Sequence, residues 1–315
     1  MNKFVFIIVS ALAIQIAISA KCPLYKCLDD KDAGDKCMAV NATTENITIS
    51  VKLCDDKTKT CKKDGQEGKC ETRKVENLVY GDDCTADSEC MGELKCTDKK
   101  CKGVEKDTEC KADYLCPVGY YCDGTCKAQV KSGEACSTDY ACPNDEGCFT
   151  DGKCTKYFSK KIGEEVPNEL FCESTTTHIV NEKKVCVEVT LKSTECGADD
   201  QCEYEIKSGE NEKTTAKQAC ICKLIDQDKK YCQIGHESSQ GKEAVKLAKK
   251  VIENSKGLHT VMRGKKMDHD LKKQIAVNSL YPTFEGASDC IIDGFLSMNY
   301  LKISAFGLLL LGLLF

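Results

Sequence analysis

The chain has no tryptophan, and only 4 of its 315 residues are histidine. Hydrophobic residues make up 41% of it, but much of that share is cysteine and two apolar ends. With these set aside, apolar side chains form only roughly a quarter of residues 21–300, low for a globular chain. That is too little for one large core and excludes a conventional large enzyme domain. An excess of basic charge is missing too. Lys and Arg number 45 against 50 Asp and Glu, a net charge of −5, which excludes a globally basic nucleic-acid binder. No two cysteines stand in C-x2-C spacing, the usual frame of a zinc site. None of His178, His236, His259 and His269 falls in H-x3-H or H-E-x2-H spacing, and no G-x-S-x-G or phosphate-loop motif occurs. Asp29, Asp30, Asp32 and Asp35 cluster without the glycine and closing glutamate of an EF-hand and read as a solvated loop. The expectation is a chain that is not an enzyme and needs no metal or cofactor.

What the chain does have is cysteine: 26 residues, all between positions 22 and 290. Both ends explain why. Residues 1–20 read as a secretory signal, with Lys3, an apolar run from Phe4 to Ile18, and the small residues Ala17, Ser19 and Ala20 before the expected cleavage point. Residues 301–315, rich in leucine, form a second apolar run. Upstream of it Gly286, Ala287 and Ser288 are three small residues, followed by a spacer over 289–300. Small residues, spacer and apolar tail form a GPI-attachment signal, so 289–315 reads as that signal and 286–288 as the attachment site. This itinerary leads to the outer face of the plasma membrane, where disulfides persist. Two sequons, Asn41-Ala42-Thr43 and Asn46-Ile47-Thr48, predict glycosylation at Asn41 and Asn46.

The cysteines repeat. Cys84, Cys110 and Cys136 are spaced 26 apart, as are Cys90, Cys116 and Cys142, and Cys96, Cys122 and Cys148; Cys101, Cys126 and Cys154 close the units. Asp87, Asp113 and Asp139 sit three places after each opening cysteine. A fixed period with a shared frame means duplicated units. Four cysteines allow three connectivities. First-to-third with second-to-fourth is the expected one, because interlocked pairs compact a unit of about 26 residues better than two separate loops. Each bond would then contribute about 2–3 kcal/mol in the chain-entropy model.

The frame predicts six regions: the signal at 1–20, an N-terminal glycosylated module at 21–80, three tandem repeats at 81–156, a second cysteine-rich domain at 157–240, a helical stalk at 241–288 and the tail at 289–315. Ile47 to Val51 and Val185 to Leu191 alternate and read as strands. Ala244, Ala248 and Val251 share a helical face, as do Met267, Leu271 and Ile275, and Pro282 stops the second helix. Residues 242–273 of the stalk carry ten basic residues against four acidic ones, which suits a segment close to anionic lipid or glycan. The fold class is therefore small disulfide-rich modules in tandem, made of short hairpins and loops, followed by a second disulfide-rich domain and a helical membrane-proximal segment.

The run from Cys84 through Asp87, Cys90 and Cys96 to Cys101, repeated to Cys154, resembles the cysteine frame of Dickkopf N-terminal domains and of EB modules. Together with the apolar ends, the layout is similar to ciliate GPI-anchored cysteine-rich surface proteins. The resemblance implies a cell-surface display role as coat component, surface antigen or receptor-like binder, and brings no active-site residue with it. The alternative is a protease inhibitor or receptor-blocking module acting through a rigid loop, with Tyr114 to Tyr121 as the candidate. Cleavage at 286–288 would discard Cys290 and leave 25 cysteines, so one unpaired half-cystine and a disulfide-linked homodimer are expected as well.

Overall fold

A computed structural model describes residues 21–297 apart from 30–33, 44–45, 55–58, 73–76, 234, 236 and 264–268. The signal sequence and the 301–315 tail lie outside the described residues. Thirteen disulfides pair all 26 cysteines.

The N-terminal module is a five-stranded sheet: β1 (Leu24–Cys27), β2 (Lys36–Ala42), β3 (Ile47–Val51), β4 (Lys59–Asp64) and β5 (Glu67–Thr72), in the order β1-β3-β2-β5-β4. The alternating Ile47–Val51 run is β3, the strand that the sequence predicts. β1 runs parallel to β3; the other pairs are antiparallel. Its core is Cys37, Met38, Val51, Cys54 and Cys61, with disulfides Cys37–Cys61 and Cys54–Cys70. Gly68 on β5 passes directly over the first of these: a Cβ there would lie 2.9 Å from the Cys61 sulfur, so a side chain would force the strand off the bond.

Each of the three repeats is one 3-10 turn followed by one hairpin. The turns are Asp87–Glu89, Asp113–Leu115 and Asp139–Ala141. The hairpins are β6 (Lys95–Thr97) with β7 (Lys100–Lys102), β8 (Tyr120–Asp123) with β9 (Thr125–Ala128), and β10 (Glu146–Cys148) with β11 (Cys154–Lys156). The bonds are Cys84–Cys96 and Cys90–Cys101, Cys110–Cys122 and Cys116–Cys126, Cys136–Cys148 and Cys142–Cys154. The third and fourth cysteines face each other across each ladder, yet each bonds outward to the first or second, so the hairpin is stapled to its turn. The repeated aspartate completes the joint. Its Oδ1 accepts the backbone N–H of the third cysteine at 2.8 Å from Asp87, 2.9 Å from Asp113 and 2.8 Å from Asp139.

The frame continues past Lys156 into a fourth unit that cysteine spacing hides. Glu169–Phe171 is a fourth 3-10 turn, and β12 (Thr177–Val180) with β13 (Lys183–Cys186) is a fourth hairpin. The strap bonds match. Gly163 N–H donates to Cys186 O and Cys186 N–H to Glu164 O, as Gly133 donates to Cys154 O and Cys154 to Glu134 O. Cys172–Cys186 is the second-to-fourth bond. Val166 stands where an opening cysteine would, and Thr177 takes the third place, opposite Cys186. In place of the missing bond, Val166 packs with Tyr157, Leu170 and Phe171 into an apolar cluster that also takes in Ala248 and Ile252.

The predicted Val185–Leu191 strand is two strands. It breaks at Val187, which leaves β13 and passes into β14 (Glu188–Leu191) of another sheet, with β15 (Gln201–Lys207) and β16 (Lys213–Ala219). Cys202, Tyr204 and Ile206 are buried on alternate positions of β15, packed on Val187 and Val189. The hairpin β17 (Ile221–Lys223) and β18 (Asp226–Tyr231) follows, and Cys196–Cys220 and Cys202–Cys232 bind the unit.

Among the described residues three helices follow: α1 (Ser239–Asn254), α2 (His269–Ser279) and α3 (Asp289–Ser297). Ser238 caps α1, its hydroxyl accepting Gly241 N–H at 3.0 Å. Ala244, Ala248, Val251 and Ile252 are buried on the face that the sequence periodicity predicts; Leu247 joins them, and Val245, expected on that face, is half-buried. The helices do not project as a stalk. α1 packs on α2 through Leu247, Val251, Leu271 and Ile275 and on the fourth repeat through Ala248 and Ile252. α3 returns to the N-terminal sheet. Two long-range bonds, Cys22–Cys222 and Cys27–Cys290, span 200 and 263 residues of sequence. Among the described residues no helix is long and apolar enough to cross a membrane.

Candidate functional surfaces

The two sequons share one hairpin. Asn41, next to last in β2, is exposed and pairs across the ladder with Thr48, the threonine of the other sequon. Thr43, the threonine of the first sequon, reciprocates: its hydroxyl accepts Asn46 N–H at 3.0 Å while its own N–H donates to Asn46 O at 2.9 Å. Asn46 is half-buried. Both acceptors thus sit at one end of the N-terminal sheet, with Asn41 the more open.

The repeats meet the helical region through a polar joint. After α1 the chain turns at Ser255, and the Asn144 amide of the third repeat donates to Ser255 O at 2.7 Å and Leu258 O at 2.9 Å. His259 is buried against the second repeat, its Nε2 at 2.8 Å from Cys116 O. Its Nδ1 accepts Val261 N–H at 3.2 Å, which leaves Nε2 as the protonated donor. Burial holds the imidazole pKa below its ordinary value, against the pull of the Cys116 carbonyl and of Asp113 and Asp82. Arg263 is also buried; its guanidinium donates to Tyr157 Oη at 3.1 Å and to Cys142 O at 2.8 Å. Burial pushes the Tyr157 phenol up to about 12 in spite of the adjacent guanidinium. Sequence reasoning gave none of Asn144, Tyr157, His259 and Arg263 a docking role, because a docking polar side chain has no spacing signature.

Other candidates take structural places. In the Tyr114–Tyr121 loop, the Tyr114 ring lies so close to Gly92 of the preceding repeat that a Cβ there would come within 2.6 Å of it. Tyr121 is buried, whereas Val118 is 43% exposed. The twelve repeat cysteines include sulfur triplets such as Cys84, Cys90 and Cys101, close enough to gather around an ion, but every one is spent in a disulfide. Lys242, Lys246, Lys249 and Lys250 line an open groove of about 750 Å³ beside α1 with Glu243 and Glu253. Lys242 and Lys246 are paired there to Glu237 and Glu243 at 3.3 and 3.2 Å.

The predicted attachment residues lie in a packed turn. Gly286 has φ +76°, and a Cβ on it would lie 3.0 Å from the Ile225 Cδ1. Ala287 packs in the cluster of Leu224, Phe284, Ile291 and Ile292. Ser288 O accepts Ile291 N–H and Ile292 N–H at 3.0 and 3.1 Å and so starts α3. Cys290, two residues on, is bonded to Cys27. In the uncleaved chain no cysteine is free; the unpaired half-cystine is the expectation for a chain that has lost Cys290.

Comparison with family models, with curated proteins and with solved structures finds no match. The dense disulfide bonding makes this a protein of the secreted or extracellular class.

Proposed function

We propose that the protein is a glycosylated, lipid-anchored surface protein whose work is display: a coat component, antigen or receptor-like binder on the outer face of the plasma membrane. The observation that supports this reading most is the row of stapled repeats. Each unit is held by covalent bonds and by backbone hydrogen bonds, with little apolar core, so it keeps its shape outside the cell where proteases and dilution work against folded chains. Carbohydrate at Asn41 and Asn46 would shield one end of the N-terminal sheet. Ciliate surface proteins of this layout and Dickkopf or EB modules share the frame and suggest the same setting.

The test is release from intact cells. Phosphatidylinositol-specific phospholipase C should free the protein into the medium, read by blot, and glycosidase treatment should lower its apparent mass. Retention on the cell after complete phospholipase digestion of a control anchor would overturn the lipid-anchor reading.

A further inference from the structure

We infer that β12 is a contact strand between two copies of this chain, whose β12 edges pair antiparallel about a two-fold axis at His178. This contact needs no lipid anchor and goes beyond the display role. The hairpin of the fourth repeat turns at Asn181 and Glu182, with φ +49° and +66°, a two-residue turn that fixes register. Its ladder pairs Thr177 with Cys186, His178 with Val185, Ile179 with Lys184 and Val180 with Lys183. One step earlier, Val187 N–H donates to Thr176 O at 3.0 Å. Backbone groups alternate sides along a strand. Thr176, His178 and Val180 therefore bond inward, and Thr177 and Ile179 present their N–H and C=O to the outside. The far side of β13 is taken, since Val166 N–H donates to Lys184 O. Among the described residues β13 is the only strand beside β12.

Natural proteins keep edge strands apart with charges, lysine above all. Among the described strands only β3 and β12 hold no Asp, Glu, Lys or Arg, and β3 is covered on both sides by β1 and β2. The lack of charge runs from Ser174 to Val180, in a chain that is 30% charged. Ile179 is also 65% exposed, the most of any large apolar side chain described, with Val118 next at 43%.

Charge selects a second copy as the occupant. The edge strands β4 and β16 carry Lys59, Lys62 and Lys63, and Lys213 and Lys217, which would meet their own copies, whereas β12 meets its copy with no charge opposed. The outward residues also define the register. With Thr177 opposite Ile179 of the second copy, and Ile179 opposite Thr177, every outward N–H and C=O finds a partner and His178 lies on the axis. Side chains opposite each other share a face, so each Ile179 covers the other copy's Thr177 and reaches diagonally toward the other Ile179. Such a surface is self-complementary and closes as a dimer. The strand is short, so the pairing is weak in free solution and is strengthened where copies are held close together on one surface.

The experiment is sedimentation of the full oxidised chain in mild detergent over a concentration series, with two variants. Ile179→Pro removes an N–H that the fold does not use, at an edge position where proline is tolerated. Ile179→Lys keeps that N–H and adds the missing edge charge. The native chain should pass from monomer to dimer as concentration rises. Ile179→Pro should associate about thirtyfold more weakly, since each copy loses one hydrogen bond across the pair, and Ile179→Lys should stay monomeric. Register is read separately. Residues facing each other on the axis have Cα atoms about 4.5 Å apart, so His178→Cys should form an interchain disulfide that Ile179→Pro in the same chain suppresses. A native chain that stays monomeric up to its solubility limit would overturn the inference. So would a dimer that persists in both Ile179 variants with every disulfide in place, or a dimer in which Cys at 178 does not cross-link. None of these readouts depends on the lipid anchor, which phospholipase release tests on its own.

Discussion

At the scale of single residues, the telling side chains are the polar ones that accept or donate to backbone. The aspartate three places after each opening cysteine is visible in the sequence as a repeat feature, and its bond to the third cysteine's N–H explains it: the carboxylate satisfies a donor at the mouth of the hairpin that the short ladder leaves unpaired. His259 carries a prediction. Its neutral ring both accepts from Val261 and faces the Cys116 carbonyl, and its folded-state pKa lies below the unfolded value of 6.5. The unfolded chain therefore takes up a proton more readily than the folded one. The stability that neutral His259 contributes is complete above about pH 6.5 and declines as the pH falls through that value toward the folded pKa, by at most about 1.4 kcal/mol per pH unit. Denaturant midpoints between pH 7.5 and 5 should drop more steeply for the native chain than for His259→Gln. Parallel slopes would show that the ring does not titrate the joint.

At the scale of elements, what was legible followed from period. The three repeats, the Ile47–Val51 strand and the buried stripe of α1 could all be read from sequence because each is a local pattern of identical or alternating residue types. The fourth repeat could not, since the cysteine that would announce it is Val166 and the third is Thr177. Its glycine at 163 and its Cys172–Cys186 spacing were the remaining signals, and alone they do not define a frame. The Val185–Leu191 run was misread for a related reason: alternation cannot tell one strand from two that meet end to end at a buried residue such as Val187. If the fourth unit shares the geometry of the others, the double substitution Val166→Cys, Thr177→Cys should form a fourteenth disulfide without disturbing the thirteen. It would close a loop of about a dozen residues and add about 2–3 kcal/mol in the chain-entropy model. Non-reduced mass and the denaturant midpoint read the result; two free thiols at these positions would mean that Thr177 does not occupy the third-cysteine place.

At the scale of the whole molecule, the chain is a row of small units turned back on itself. The packing of the 286–288 turn and of the helical region could not be placed from sequence, because their positions are set by contacts between segments more than 100 residues apart, as Asn144 with Ser255 and Arg263 with Cys142 show. Covalent closure follows the same logic. A bond between Cys27 and Cys290 spans 263 residues, but with Cys22–Cys222 already in place the path from one sulfur to the other is short: back to Cys22, across, and on from Cys222, about 70 residues in all. Interleaved bonds of this kind are therefore not additive. Removing Cys27–Cys290 alone, as the double variant Cys27→Ser, Cys290→Ser, should cost about 4 kcal/mol in the chain-entropy model, and removing the Cys84–Cys96 bond about 3 kcal/mol. The two losses should also differ in reach. Loss of Cys27–Cys290 should raise amide exchange in β1 and α3 together, since α3 is the face on which β1 rests, and leave the repeats protected, because each carries its own pair of bonds. Exchange measured on intact, oxidised protein separates the possibilities. Faster exchange throughout residues 84–154 in the Cys27/Cys290 variant would mean that the repeats depend on the closing bond for their fold.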